Sequence, residues 1–445
     1  MRYLFDGGWR FLETGLDVHY DDLLRRKDEF EGSFNKVEIP HDFLIHDSDN
    51  LYKDATGWYS KDFEYSPGSG HRCFITFEGV YMDCTIYVND KCAFEWKYGY
   101  SSFSFEMTDY LHQGINNISV FIRHQSPNTR WYSGAGIYRD VWLTITDSTY
   151  LAIDGVYLST RPKGDDYILR VEAEVCGDMA GEAGISASIS RTSTGISACE
   201  NIAYEQLPVA DYPGPAKVSA PACDYKDLES GQVRYRYIQE YLVKSPLKWD
   251  PSNPNLYNIT VTLTAGGRAV DEYRTRLGFK HVVLDPDKGF IINGQNIKLG
   301  GVCEHHDLGA LGSAFNKAAM KRKFLTLKSM GVNAIRGTHN MVAPSVLDLM
   351  DEMGFIFISE AFDMWRKPKT TYDYARFFDS WHERDVASWV RRDRNHVCVS
   401  FWSIGNEIYD THADEDGYSL AFLQRTDGHR YRYDAATLSR TCHRG

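Results

Sequence analysis

Short apolar segments separated by turn residues run through the first half of the chain. Branched and aromatic residues dominate three of them, at positions 72–78, 83–89 and 117–123. Turn formers such as Asn89-Asp90 lie between them, and no helical periodicity lasts much beyond one turn. Strands of this length and composition are typical of a β-sandwich. We therefore predict an all-β first domain over residues 1–148.

A second β-rich segment follows, with a turn-rich stretch near Asp211 and a strand-like ending at 256–263. Apolar strand patterns give way to Asp, Gly and Pro clusters near residues 148 and 283. Because such clusters mark connections between folded units, we predict a second β-domain over residues 149–283.

After Asp285 the pattern changes to alternating strands and helices. Four βα units of this length predict a parallel barrel or a doubly wound sheet over residues 284–416. Gly331 and Gly354 follow apolar helix faces, and Pro344 is suited to a first helical position. The predicted elements are strands at 297–302, 332–336, 355–359 and 397–404, with helices ending before Gly331, beginning at Pro344 and covering 374–394.

Composition narrows the class of protein. The 445 residues include 49 Lys and Arg against 61 Asp and Glu, a net charge of -12. This sign argues against nucleic-acid and polybasic membrane binding. No apolar run reaches the ~18 residues of a membrane span, and an acid at Asp6 argues against a signal peptide. Nine cysteines without a CxxC pair fit free thiols, so we expect a cytoplasmic location.

Residues 417–445 differ in amino-acid composition from the rest of the chain. They contain neither Lys nor Glu and show no amphipathic period. One interpretation is an ordinary surface tail. The interpretation that we favour is an abnormal chain end, out of frame from about Asp416.

The strongest chemical signal is the run at 393–407. An apolar strand here carries Asn406 and Glu407 at its carboxyl end, where parallel α/β barrels place catalytic groups. A carboxylic acid at such a position can protonate a leaving oxygen, and an adjacent amide can hold a substrate hydroxyl. The alternative is an Asn-Glu pair that caps a following helix.

The run at 393–407 resembles the acid/base signature of glycoside hydrolase family 2 at every position. The run at 333–340, continued at 351–358, resembles the other signature of the family, from which it departs at Asn340-Met341. The resemblance covers residues 3–416 in order. Further segments that resemble the family are 40–43, 56–59, 131–140, 247–257, 289–294 and 301–307.

This resemblance implies a jelly-roll sugar-binding domain over 1–148, an immunoglobulin-like β-sandwich over 149–283 and the first four βα units of a (β/α)8 TIM barrel over 284–416. It also implies retaining hydrolysis of β-glycosides without a cofactor. Glu407 would be the general acid and then the general base, and Asn406 would bind the sugar 2-hydroxyl. The implied substrate-binding residues are Arg336, His339 and His305. The alternatives are a buried ion-pair role for Arg336 and satisfied core positions for the two histidines.

The segments 301–312 and 359–365 look like the shorter bacterial β-galactosidases of the family, so terminal β-D-galactosides are the expected substrates. β-Glucuronidase, β-mannosidase and a non-catalytic carbohydrate-binding remnant are the alternatives. No metal is expected, because the positions that bind Mg²⁺ in some relatives are Met364 and Arg366 here. The group 303–307, with its Cys, His and Asp, has no partner at zinc-like spacing.

Retaining hydrolysis needs a nucleophilic carboxylate as well as the acid/base. The family carries it at the end of the seventh barrel strand, so the resemblance implies that the nucleophile is absent from this chain and that the chain alone is inactive. A half barrel also leaves unpaired strand edges. We therefore expect a homo-oligomer or a complementing chain as partner, besides the β-glycoside.

Overall fold

The computed structural model describes residues 1–411 apart from 27–28, 31, 67, 69, 193–198, 210–211 and 221–233. Two β-sandwiches come first along the chain, and a parallel sheet with helices follows them. The segment 417–445, with its predicted abnormal end, lies outside the described residues.

The first sandwich is built from strands that pair antiparallel, and the short helix α1 (Tyr20–Arg25) follows its second strand. Its strands are β1 (Arg2–Leu4), β2 (Trp9–Thr14), β3 (Asn35–Val37), β4 (Ala55–Tyr65), β5 (Arg72–Phe77), β6 (Val80–Tyr81), β7 (Cys84–Val88), β8 (Lys91–Trp96), β9 (Phe103–Glu106), β10 (Gly114–His124), β11 (Gly136–Ile137) and β12 (Val141–Thr146). The larger sheet has the order β3-β2-β4-β10-β7-β8, the smaller one β1-β12-β5-β9, and β11 pairs with β6.

Alternation along the strands builds the core of this sandwich. In β10, Ile118, Val120 and Ile122 are fully buried, while Phe121 on the opposite face is partly exposed. A period of two places one set of side chains between the sheets. Buried indoles such as that of Trp96 fill the same cluster.

The second sandwich repeats this construction. Its strands are β13 (Thr149–Lys163), β14 (Asp166–Gly177), β15 (Gly184–Thr192), β16 (Cys199–Asn201), β17 (Tyr204–Leu207), β18 (Ala216–Val218), β19 (Arg234–Val243), β20 (Tyr257–Ala265) and β21 (Arg268–Leu277). One sheet has the order β13-β14-β19-β17, with β18 also on β19, and the other has the order β16-β15-β20-β21. The prediction of two successive all-β units is therefore confirmed.

The third region opens with the antiparallel strands β22 (Val282–Asp285), β23 (Gly289–Ile292) and β24 (Gln295–Asn296). The parallel strands β25 (Gly301–Glu304), β26 (Ala334–Gly337), β27 (Ile356–Glu360) and β28 (Val399–Ser403) follow, connected by the helices α2 (Lys317–Ser329), α3 (Pro344–Met353) and α4 (Ala375–Asp393). Adjacent strands pair in chain order, as in one half of a barrel. The described residues thus contain the four predicted strands and the three helices that connect them.

The first parallel strand begins later than the predicted 297–302. The backbone N–H of Ile297 donates to Phe290 O at 3.1 Å, which ties this position to the preceding hairpin. The Asn333 carboxamide accepts from the Gly300 N–H at 2.9 Å. Parallel pairing therefore starts only at Gly301, opposite Ala334.

The limits of α3 follow from local chemistry. Pro344 stands at the start of the helix, where its missing N–H costs no hydrogen bond. Gly354 ends the helix with φ of +70°, a conformation that favours glycine. A Cβ at this position would lie 2.6 Å from Pro251 O, so packing also requires glycine here.

Asp42 joins the first sandwich to the parallel sheet region. Its carboxylate is 1% exposed and accepts from the backbone N–H groups of Leu44, Ala135 and Ser313 and from two hydroxyls, at 2.7–3.1 Å. The hydroxyls belong to Tyr132 and Ser313. Ser313 follows β25, so one buried carboxylate connects two domains.

We expect Asp42→Ala to lower the free energy of unfolding by about 3 kcal/mol, because its buried donors lose their acceptor. Denaturant unfolding followed by tryptophan fluorescence measures this. The matched control is Asp49→Ala, an exposed position in the next loop, which should remain within about 0.5 kcal/mol of the wild type. Equal losses in both variants would contradict the assignment.

A second interdomain contact predicts a pH dependence. Asp385 of α4 is 0% exposed and accepts hydrogen bonds from Ser101 of the first sandwich, at 2.5 Å, and from Tyr374. Burial raises the pKa of Asp385 from 3.8 to about 7, against the effect of these hydrogen bonds. The folded state therefore holds a proton that the unfolded state releases at lower pH.

The free energy of unfolding should therefore fall by about 3 kcal/mol between pH 5 and pH 8 through this group. Asp385→Asn resembles the protonated form and should lose this part of the pH dependence. Denaturant titrations of both proteins at the two pH values measure the difference, since other groups titrate equally in both. Parallel pH profiles would count against the buried acid.

Candidate active site

Asn406 and Glu407 lie just past the carboxyl end of β28. The Asn406 side chain is held at both ends, since its Nδ2 donates to Asp363 Oδ1 at 2.8 Å and its Oδ1 accepts from Arg336 at 3.0 Å. Its backbone N–H donates to Phe362 O at 2.8 Å. The amide is therefore fixed in orientation before any ligand arrives.

Glu407 is placed differently from its buried neighbours. Its backbone has φ of +47°, and its side chain is 63% exposed. Its Oε2 accepts from Arg130 at 3.0 Å and lies 4.0 Å from Lys369 Nζ. A positive φ is uncommon for a non-glycine residue and is found often at functional sites.

Glu360, at the end of β27, is a buried carboxylate surrounded by donors. Arg336 binds it through two nitrogens at 2.8 and 2.9 Å. His339 Nδ1 lies 2.6 Å from it, and the Ser403 hydroxyl donates at 2.7 Å. Although burial acts against the charge of Arg336, the pairing with Glu360 raises the pKa of the guanidinium. Arg336 is thus both an ion-pair partner and a contact of Asn406.

Asp363 forms the second buried carboxylate, 2% exposed. Arg130 binds it through two nitrogens at 2.6 and 3.0 Å, and Lys369 Nζ lies at 3.0 Å. Burial raises the pKa of Asp363, but the hydrogen bonds from Arg130, Asn406 and Lys369 outweigh it and lower the pKa below its ordinary value. This carboxylate therefore stays ionised.

Three aromatic rings form a wall beside these groups. The ring centroid of Trp131 lies 5.2 Å from that of His305 and 5.6 Å from that of His339, and the centroids of the two histidines lie 5.7 Å apart. Burial, and then the neighbouring His339, lower the pKa of His305, so the ring is neutral at pH 7. Its Nδ1 is buried and has no hydrogen-bond partner among the described residues.

The structure therefore brings the predicted residues Asn406, Arg336 and His339 into one hydrogen-bonded network with Glu360, and places Glu407 and His305 beside it. Sequence reasoning missed five residues of this arrangement, which are Arg130, Trp131, Glu360, Asp363 and Lys369. An acid directly after the third strand was a usable signal for Glu360. The residues from the first sandwich had no such signal, because they lie more than 200 positions from β28.

The positions considered for metal have other partners. Met364 is buried, and Arg366 Nε donates to Asp379 at 2.6 Å. Cys303 Sγ lies 3.9 Å from Arg336, and His306 Nε2 lies 2.9 Å from Ser133 O. Within the described ranges, no group of three His, Cys, Asp or Glu residues could hold a metal ion. Nor does any helix described here have the length and apolarity needed to cross a membrane.

Comparison with known proteins assigns all three regions to domains of one family. The sugar-binding domain of the glycosyl hydrolases family 2 matches residues 30–147, the central family 2 domain matches 152–280, and the family 2 TIM barrel domain matches 283–430. The expected jelly-roll, immunoglobulin-like and partial TIM barrel architecture is confirmed.

Similar proteins are named as glycosidases or as members of the same family. A β-galactosidase of Bacteroides ovatus is 35% identical over 94% of this chain and 48% of its own length. A β-glucuronidase of Bacteroides fragilis is 28% identical over 85% of this chain and 54% of its own length. A solved family 2 structure from Bacteroides cellulosilyticus has a TM-score of 0.76 and 29% identity, covering 96% of this chain and 54% of its own.

The chain thus spans about half the length of the relatives that it matches. Three models of one family match consecutive stretches that together account for most of its residues, and the chain belongs to the glycosyl hydrolases family 2.

Proposed function

We propose that this chain is the sugar-binding and acid/base part of a retaining β-galactosidase. The observation that carries the proposal is the contrast between Asn406, a buried amide fixed by Asp363 and Arg336, and the exposed carboxyl group of Glu407 next to it. A fixed amide can hold a sugar hydroxyl, and an exposed carboxyl group can reach a glycosidic oxygen.

In this proposal Glu407 acts first as an acid. Its O–H bond breaks as the proton bonds to the glycosidic oxygen, and the electron pair of the sugar carbon–oxygen bond leaves with the aglycone. The resulting carboxylate then takes a proton from the water that releases the sugar from the nucleophile. Both steps need a second carboxylate about 5–5.5 Å away.

The described carboxylates beside Glu407 are poorly suited to that second role. Glu360 and Asp363 are each at most 2% exposed and each accept hydrogen bonds from a two-pronged arginine and further donors. A carboxylate whose lone pairs are occupied in this way is a weak nucleophile. The proposal assigns the nucleophile to a carboxylate outside this 445-residue sequence, such as one on a partner chain.

The sugar would lie against the wall formed by Trp131, His305 and His339. Flat rings suit the C–H face of a pyranose, and the unpartnered Nδ1 of His305 offers a polar contact. Arg336 would act on the sugar indirectly, by holding Asn406 and Glu360 in place.

The charge balance of the site favours a neutral sugar over a uronate. Arg336, Lys369 and Arg130 are each paired with a carboxylate, namely Glu360 for the first and Asp363 for the other two. A glucuronide carboxylate would have to compete with these pairs. This argument favours β-galactosides over the β-glucuronides that the name of the B. fragilis relative suggests.

Ligand binding tests the substrate class without requiring turnover. We expect a galactose-configured iminosugar to bind the 445-residue chain at least ~10-fold more tightly than its glucuronic-acid and mannose counterparts in calorimetric titration. Asn406→Ala should weaken binding about 10-fold through loss of one hydrogen bond, whereas Asn50→Ala, an exposed position, should not. Failure of every ligand to bind, or preference for the uronate, would contradict the proposal.

Hydrolysis tests the assignment of the nucleophile. Because Glu360 and Asp363 are occupied, we expect the chain alone to release no nitrophenol from the β-galactoside, β-glucuronide or β-mannoside above the rate of Glu407→Gln. Initial rates for both proteins at equal concentration measure this. Turnover that disappears in Glu407→Gln would show a nucleophile among the residues of this chain and overturn that part of the proposal.

A further inference from the structure

Arg130 crosses the boundary between the first sandwich and the parallel sheet. It lies in the connection between β10 and β11, yet all its described polar contacts are with residues of the third region. Nε and one terminal nitrogen bind Asp363 at 3.0 and 2.6 Å. The other terminal nitrogen donates to Glu407 Oε2 at 3.0 Å. One guanidinium therefore connects a buried acid with an exposed one.

The segment that carries Arg130 is fixed on both sides. Thr129 Oγ1 donates to Trp131 O at 2.5 Å, and Trp131 Nε1 donates to Tyr100 OH at 3.0 Å. Further along, the Asp42 carboxylate accepts from Tyr132 at 2.7 Å. Hydrogen bonds thus hold the residues on both sides of Arg130, and the two-nitrogen contact with Asp363 sets the plane of the guanidinium.

The contact with Glu407 is not needed to balance Asp363. Lys369 Nζ, with its side chain 1% exposed, already lies 3.0 Å from that carboxylate. The fork of Arg130 on Asp363 uses Nε and one terminal nitrogen, which leaves the remaining nitrogen for Glu407. The hydrogen bonds to Asp363 raise the pKa of Arg130 more than burial lowers it, and the hydrogen bond to Glu407 raises it further. The guanidinium therefore remains charged.

We infer that Arg130 is a positioning residue for Glu407, supplied by the first sandwich to the active site of the barrel domain. This inference rests on the proposed acid/base role of Glu407. With Oε2 held by Arg130, Oε1 is the oxygen free to donate the proton to the glycosidic oxygen. As that proton leaves, the fixed guanidinium stabilises the carboxylate that forms. The first sandwich therefore contributes to the chemistry as well as to sugar binding.

The first experiment measures the contact itself and requires neither substrate nor turnover. The chain is treated with a carbodiimide and an amine, and modification of each carboxyl group is followed by peptide mass spectrometry. Because an ion-paired carboxylate reacts slowly, we expect Glu407 to react about 3-fold faster in Arg130→Met and at an intermediate rate in Arg130→Lys, which keeps the charge but not the fork.

The matched control is Arg376→Gln. Arg376 also crosses the boundary between the domains, donating to Gln125 Oε1 at 3.1 Å, but has no described hydrogen bond to Glu407. Glu407 should react in this variant as in the wild type. An unchanged rate in Arg130→Met, or an equal increase in Arg376→Gln, would overturn the inference.

The second experiment separates positioning from general support of the fold. It compares a galactose-configured imidazole, whose ring nitrogen takes the place of the glycosidic oxygen, with the plain iminosugar. Arg130→Met should weaken imidazole binding about 10-fold and iminosugar binding less than about 2-fold, with partial recovery in Arg130→Lys. A purely structural role would weaken both ligands equally, and that result would overturn the inference.

The two hypotheses fail in different ways. If neither ligand binds the wild type, the proposed function is wrong, and the reactivity of Glu407 then decides the role of Arg130 alone. If both ligands bind and their affinity ratio is the same in Arg130→Met, the function stands and the inference is wrong.

Discussion

The buried carboxylate of Asp363 holds together parts of the site that come from distant positions in the chain. It accepts hydrogen bonds from Arg130 of the first sandwich, from Lys369 after β27 and from Asn406 after β28. A buried charge is tolerated only when such donors surround it. Removal of Asp363 would leave Arg130, Lys369 and Asn406 without their shared acceptor, so the geometry of the site depends on this one group.

The described carboxylates of the candidate site lie in different surroundings. Glu360 and Asp363 are buried and accept hydrogen bonds from several groups, whereas Glu407 is mostly exposed and contacts Arg130 and Lys369 through Oε2. Groups of the same chemical type therefore differ in accessibility and in their hydrogen bonds because their surroundings differ. The described cations Arg336, Arg130 and Lys369 are likewise each paired with one of the two buried acids.

The first sandwich is joined to the parallel sheet by polar contacts that specify one arrangement. Asp42 collects donors from both sides of the boundary, and Asp385 accepts from Ser101 across it. Unpaired polar groups would remain if the domains shifted, so these contacts oppose sliding more than apolar packing alone would. The same boundary places Arg130 beside Glu407 and Trp131 beside His339, which belong to the parallel sheet region.

The sequence by itself determined the elements whose causes are local. Pro344 and Gly354 delimit α3, and the alternation of apolar and polar residues identifies the strands of both sandwiches. The apolar run before Asn406 predicts that Asn406 and Glu407 lie at a strand end. Only the tertiary structure decided that β25 begins at Gly301, because Ile297 is hydrogen-bonded to Phe290 in the preceding hairpin. It also decided that Arg130 contacts Glu407. Such contacts join positions hundreds of residues apart, and no spacing along the chain encodes which buried acid will meet which cation.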